Sequence, residues 1–147
     1  MKKSFPAGTA LYGTGTSGCS GTLAMGANTI PNVDTPNFAM TCTNAPRNSL
    51  GQGVITDSPD FAGTDFGFGI KFHVDLLLST EIIGYDINSD SSGIAFTPAS
   101  IPNNPSVAGQ TFYAQSFWIE RAADGQYCSY APMALVSSNG ISLTIQP

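Results

Sequence analysis

The last strand-like segment of the chain places the strongest constraint on its fold. Over residues 140–146, apolar Ile141, Leu143 and Ile145 alternate with polar Ser, Thr and Gln residues. A period of two places one row of side chains in a core and the other in solvent, as in a half-buried β-strand. We therefore expect the apolar row to be buried.

A second alternating segment spans residues 70–78. The pattern predicts one long strand with an apolar row facing the core and Lys71, His73 and Asp75 facing outward. The apolar row is Ile70, Phe72, Val74, Leu76 and Leu78.

Helical periodicity is nowhere sustained, and turn signals recur about every 8–12 residues. The sequence therefore predicts an all-β fold, an antiparallel β-sandwich or jelly roll of seven to nine short strands. We expect a single domain over residues 1–147, with residues 1–11 as an N-terminal arm or edge segment. The longest irregular stretch, residues 56–69, is rich in Asp, Gly and Phe, and loops of this length are often functional.

Composition favours an extracellular protein. Charged residues make up 10% of the chain, against about 25% in typical soluble domains. Gly, Pro, Ser, Thr and Asn are abundant, as in secreted β-proteins with many turns. Residues 4–8, which follow Met1-Lys-Lys, contain no apolar stretch, so we expect the export signal to lie outside this sequence.

The same composition argues against two classes of partner. The net charge is −5, and the five basic residues are scattered, so no basic patch is available for nucleic acid. No apolar run approaches the roughly 20 residues that span a bilayer, so we expect no membrane insertion.

Three cysteines, Cys19, Cys42 and Cys128, allow one disulfide and one free thiol. Cys42 shares its parity with Phe38 and Met40, so we expect it to be a small buried side chain. Cys19 and Cys128 lie in loop-like sequence and form the favoured pair, although the sequence does not decide the pairing. No CxxC and no second histidine are present to indicate a zinc site.

Asp86, Asn88 and Asp90 place oxygen ligands at alternate positions, as a calcium loop does. An EF-hand-like loop also needs a glycine at the sixth position and a glutamate at the twelfth, where this chain has Ser91 and Thr97. A polar hairpin turn is therefore the preferred interpretation, with calcium as the alternative and no other cofactor expected.

No catalytic constellation is recognisable. His73 is the only histidine, no serine lies in Gly-x-Ser-x-Gly, and Glu81 and Glu120 are the only glutamates. We expect His73 to lie on the outward face of its strand, flanked by Lys71 and Asp75, in a solvated cross-strand pair, and no catalytic residue is assigned. A two-carboxylate hydrolase is kept as a minor alternative.

The strand around residues 111–120 is apolar on both faces. Tyr113 and Phe117 occupy one parity and Trp118 the other. One row is expected to enter the core, and the other to contact a partner unless a further layer covers it. Large aromatic side chains are frequent interface anchors, so these three residues are the predicted binding residues.

The order of motifs resembles a recurrent, uncharacterised β-sandwich domain of large secreted bacterial proteins, often found at their C-termini. The segments that carry the resemblance are residues 12–19, 37–46, 92–93, 101–109 (IPNNPSVAG), 112–115 (FYAQ) and 138–145 (SNGISLTI). They cover nearly the whole chain. The resemblance implies an exported or cell-surface β-sandwich and no established activity.

These observations lead to two main hypotheses. The first is a non-catalytic extracellular binding module whose ligand is a glycan or cell-envelope polymer. The second is a structural module that self-associates into an oligomer, layer or filament through its sheet edges. An unrecognised hydrolase is the third.

Overall fold

The computed structural model describes residues 6–120 and 134–147. These residues form thirteen β-strands and one short 3-10 helix, with no α-helix, which confirms the all-β class. The strands are β1 (Thr9–Tyr12), β2 (Ser17–Gly18), β3 (Gly21–Thr22), β4 (Ala24–Ala27), β5 (Ala39–Thr43), β6 (Leu50–Thr56), β7 (Pro59–Thr64), β8 (Phe72–Val74), β9 (Ile82–Asn88), β10 (Ala95–Pro98), β11 (Thr111–Ile119), β12 (Leu135–Ser137) and β13 (Gly140–Thr144), and the 3-10 helix is η1 (Pro105–Val107).

The strand count exceeds the predicted seven to nine. Part of the excess comes from short strands in glycine-rich sequence, since β2 and β3 form a two-residue ladder within residues 12–22. Another part comes from β7, which lies in the stretch expected to be irregular.

Two antiparallel sheets form the body of the fold. The main sheet has the order β1-β13-β11-β6-β9, with β12 also paired to β11. The second sheet has the order β10-β5-β4. Their facing side chains form one apolar cluster that includes Phe38, Met40, Trp118, Ile141 and Leu143. Burial of this cluster is the main driving force for the sandwich.

The prediction for the last strand is confirmed, because Ile141, Leu143 and Ile145 are all buried. Register explains why. Ala114 of β11 lies opposite Ile141, and Phe112 lies opposite Leu143, so the apolar rows of neighbouring strands share the inner face of the main sheet.

The predicted strand over residues 70–78 is too long, and several of its side chains are not buried or exposed as predicted. Only β8, three residues long, is a strand. Ile70 and Val74 are buried, but Phe72 and Leu76 are only partly buried and Leu78 is 76% exposed. The chain turns after β8 because the Asp75 carboxylate accepts the N–H groups of Leu77 and Leu78, at 2.9 and 2.8 Å. A side-chain acceptor of this kind competes with strand continuation.

Candidate functional site

Strands β7 and β8 form an antiparallel two-stranded ribbon that lies on the outer face of the main sheet. Gln115 of β11 holds it there. Its Oε1 accepts the N–H of His73 at 2.7 Å, and its Nε2 donates to the carbonyls of Lys71 and Ser138, each at 2.8 Å. Gln115 is fully buried, and its bonds to His73 and Ser138 are formed in a low-dielectric setting, whereas the bond to Lys71 is partly buried. One side chain thus fixes the ribbon to the sheet.

His73 is a structural residue of this ribbon, and the expectation of a solvated side chain is wrong. The imidazole is only 1% exposed. Its Nε2 accepts the N–H of Thr14 at 3.2 Å, and its Nδ1 lies 3.1 Å from the carbonyl of Asp60. The tautomer with the proton on Nδ1 satisfies both contacts. With both nitrogens bound to backbone groups, the imidazole has no free site for proton transfer to a substrate.

Tyr12 of β1 makes a further contact with the ribbon. Its hydroxyl donates to the carbonyl of His73 at 2.7 Å. Burial, with smaller effects from Tyr113 and Asp60, raises the pKa of the Tyr12 hydroxyl far above its usual value. The hydroxyl therefore remains a hydrogen-bond donor across the physiological pH range.

Aromatic side chains cover the contact between ribbon and sheet in two groups. In the first, Phe72 stacks on Phe117 with ring centroids 4.7 Å apart, and Phe66 and Phe68 pack against Phe72 at 5.2 and 6.3 Å. Aromatic pairs at these separations stabilise each other beyond simple area burial.

In the second group, Phe61 packs edge-on against Tyr12 at 4.9 Å and against Tyr113 at 6.3 Å. In the two groups together, three phenylalanine rings are exposed. Phe61 is 62% exposed, Phe66 43% and Phe68 41%. We call these three rings, with Tyr113 and Phe117 beneath them, the outer aromatic surface.

The loop that carries Phe66 and Phe68 is ordered by one carboxylate. Asp65 Oδ1 accepts the N–H groups of Gly67, Phe68 and Gly69 at 2.8, 3.0 and 3.1 Å. Both glycines have positive φ, 97° and 76°, which other residues adopt only with strain. The exposed rings are therefore presented on a preorganised turn, a state that lowers the entropic cost of binding.

The three predicted binding residues separate onto two faces. Tyr113 and Phe117 lie on the outer face, where the ribbon partly covers them. Trp118 lies on the inner face, is 1% exposed, and its Nε1 donates to Ser116 Oγ at 3.3 Å. Gly51 lies opposite Trp118, and a Cβ there would approach the indole to 2.5 Å. Trp118 is therefore a core residue and is not accessible to a ligand.

The residues of the outer aromatic surface that the sequence analysis did not single out are Phe61, Phe66 and Phe68. All three lie in the 56–69 stretch, whose length and phenylalanine content were the available signal. The local sequence pattern does not show that this stretch folds back onto β11, because that contact joins segments far apart in the chain.

Two of the three oxygen ligands proposed for calcium, Asp86 and Asp90, have other partners. Asp86 accepts a short hydrogen bond from Gln52 Nε2. Asp90 accepts the N–H groups of Ser92 and Ile94 at 2.8 and 3.0 Å, and these bonds lower the pKa of its carboxyl. This is the geometry of a self-capped polar turn. Residues 6–120 and 134–147 contain no group of three or more His, Cys, Asp or Glu side chains placed to hold a metal. The calcium hypothesis for Asp86, Asn88 and Asp90 therefore gains no support.

Cys42 is a buried free thiol, as predicted. Burial raises its pKa, and Ser116 Oγ donates to its sulfur at 3.3 Å. Cys128 lies outside the described residues, so the pairing of Cys19 with Cys128 stays a prediction.

The two glutamates are far apart. Glu81 immediately precedes Ile82 of β9, which pairs with Thr56 of β6, and Thr56 in turn pairs with Tyr113 near the start of β11. Glu120 immediately follows the C-terminal end of β11. Seven residues of strand separate these ends, on the order of 23 Å at about 3.3 Å per residue. Paired catalytic carboxylates lie within about 10 Å of each other. Glu81 and Glu120 therefore do not form a glycosidase pair.

No protein-family model matches this sequence, and no curated protein is significantly similar to it. The resemblance to domains of secreted bacterial proteins accordingly stays a prediction. Within the described part of the chain, no helix has the length and apolar character needed to cross a membrane.

Proposed function

We propose that this domain is a non-catalytic extracellular binding module that uses the outer aromatic surface to hold a glycan or another polymer of the cell envelope. The observation that carries the proposal is the set of three exposed phenylalanines on one anchored ribbon. Single exposed apolar residues are ordinary, but a cluster on one surface marks an interaction site.

The chemistry of the surface favours a neutral or weakly polar ligand. Aromatic ring faces carry partial negative charge, which attracts the weakly positive C–H groups on one face of a sugar ring. The chain has only five basic residues and a net charge of −5, so polyanions are poor candidates. The low charge and high Gly and Pro content support export to the cell surface.

The test is a pull-down on a panel of insoluble polysaccharides and cell-wall preparations. The triple variant Phe61→Ser, Phe66→Ser, Phe68→Ser should lose binding. The matched control is Phe96→Ser, because Phe96 is 56% exposed but lies on β10 of the second sheet. Equal retention by both variants, or no binding by the wild type to any member of the panel, would contradict the proposal.

A second candidate function, self-association, is supported by the β9 edge of the main sheet. Among residues 6–120 and 134–147, no strand pairs with the outer side of β9 in the main sheet, and Ile82 and Ile83 are about half exposed. Leu77 and Leu78, just before it, are largely exposed. An apolar edge strand is a template for pairing with a second copy. Light scattering that shows a monomer up to high concentration would exclude this function.

A further inference from the structure

A second feature, independent of the outer aromatic surface, lies on the opposite side of the main sheet. An open cavity of about 270 Å³ enters the sandwich between the two sheets. The main sheet contributes Ile55, Ile83, Phe112 and Leu143, and the opposite wall is formed by Phe38 and Ile101.

The cavity exists because the second sheet ends early at this end of the sandwich. Strand β10 stops at Pro98, and the chain then crosses as residues 99–110 with small side chains at Ala99 and Ser100. These small residues do not fill the space opposite Ile55 and Ile83, which face each other across β6 and β9. Ile83, more than half exposed, lies on the rim of the cavity.

The lining formed by the described part of the chain carries no charged side chain and is almost entirely apolar. Its polar side chains are those of Ser100 and Gln110. The Ser100 hydroxyl is already bonded to the carbonyl of Pro36 at 2.6 Å. A charged ligand group would lose its hydration here without a compensating partner, which is strongly unfavourable. The lining therefore selects against carboxylates and phosphates.

The volume sets the size of the occupant. An engineered apolar cavity of about 150 Å³ takes up benzene, and this cavity is almost twice as large. We propose that the cavity is a binding site for one small uncharged apolar group, a short alkyl chain or a fused aromatic ring, on a free molecule. Gln110 is an exposed residue of the lining, and its side-chain amide can accept or donate one hydrogen bond to a neutral polar end of that molecule.

The test uses a neutral dye, phenylnaphthylamine, whose fluorescence rises in apolar surroundings, and its displacement by n-alkanols from butanol to octanol. Saturable binding with one site per chain is expected. Each added CH₂ should improve displacement about fourfold until the cavity is full, after which the gain stops. Hexanoate should displace the dye far less well than n-hexanol.

Two variants connect binding to the cavity. Ala99→Leu fills the space and Ile83→Lys places a charge at its mouth, and each should weaken dye binding by at least about tenfold. Ile82→Lys is the matched control, because Ile82 lies next to Ile83 on the same exposed strand but on the other face of the sheet, and it should bind as the wild type does. Circular dichroism checks that each variant is folded, and Ile83→Lys keeps the test valid if Ala99→Leu does not fold.

Three results would overturn the proposal: no saturable binding by the wild type, equal losses in Ile82→Lys and Ile83→Lys, or displacement by hexanoate as strong as by n-hexanol. None of them bears on the outer aromatic surface, so the two proposals can fail separately.

Discussion

Replacing Gln115 by leucine should detach the β7–β8 ribbon from the main sheet while leaving the sandwich intact. Leucine has similar volume but cannot bond the His73 N–H or the Lys71 and Ser138 carbonyls. Two of these three bonds are buried, those to His73 and to Ser138. A buried group left without a partner costs about 1–3 kcal/mol, so the expected loss is about 2–6 kcal/mol if the ribbon stays in place. If the ribbon lifts, water solvates the freed groups, and the loss should lie near the lower end of that range, at about 2 kcal/mol.

Urea unfolding and amide hydrogen exchange measure the two outcomes together. The free energy of unfolding should fall by about 2 kcal/mol or more, and amides of residues 59–74 should exchange faster than those of β11 and β13. Gln52→Leu is the matched control, because Gln52 is an exposed glutamine of the neighbouring strand and should cost about 0.5 kcal/mol or less. A Gln115→Leu variant as stable as the Gln52→Leu control, with unchanged exchange in the ribbon, would show that Gln115 does not anchor the ribbon.

A variant whose stability should depend on pH provides a further test of the Gln115 contacts. Gln115→Glu keeps an acceptor for the His73 N–H, but its carboxylate would face two carbonyls and lose both donated bonds. Burial raises the pKa of such a carboxyl above its unfolded value of about 4.3, so its protonated form is the one that the folded state tolerates. The stability of this variant relative to wild type should therefore improve as pH falls, because protonation restores one donor.

Three further predictions concern the core and its titrating groups. Trp118→Ser should lower the free energy of unfolding by about 3–5 kcal/mol, whereas Phe117→Ser, on the half-covered outer face, should cost about 1–2 kcal/mol; equal losses in thermal or urea unfolding would contradict this placement. Burial raises the pKa of Tyr85 to about 12. The free energy of unfolding should therefore fall as pH rises from about 10 towards 12, and Tyr85→Phe should reduce that fall. An identical dependence of unfolding free energy on alkaline pH in both proteins would contradict this prediction. In a non-reduced sample, a thiol reagent should detect no cysteine in the native protein and one, Cys42, after denaturation, and a rapid native reaction would show that this thiol is accessible.

The parts of the fold that could be predicted are those governed by local alternation. The row Ile141, Leu143 and Ile145 was assigned correctly because one face of β13 packs on a single apolar layer. The assignment of His73 failed because alternation does not show how many layers cover a strand. The ribbon has buried contacts on both parities of β8, so His73 and Val74 are both buried.

The candidate site was predictable only in part. Tyr113 and Phe117 were recognised because β11 is apolar on both faces. Alternation along β11 did not show which face enters the core, so it did not assign Trp118 to the inner face. That assignment depends on Gly51, whose missing side chain makes room for the indole across the sheet. Phe61, Phe66 and Phe68 become a surface only when Gln115 anchors the ribbon, a contact between residues more than 40 positions apart.

The most direct test of the proposed binding surface is NMR mapping with a soluble fragment of whichever envelope polysaccharide the protein retains. We expect concentration-dependent shifts of amides in residues 59–72 and of β11 around Tyr113 and Phe117, with saturation at one site. Shifts confined to the second sheet or to the β9 edge would contradict the proposed surface, because the ligand would then contact the protein away from the outer aromatic surface.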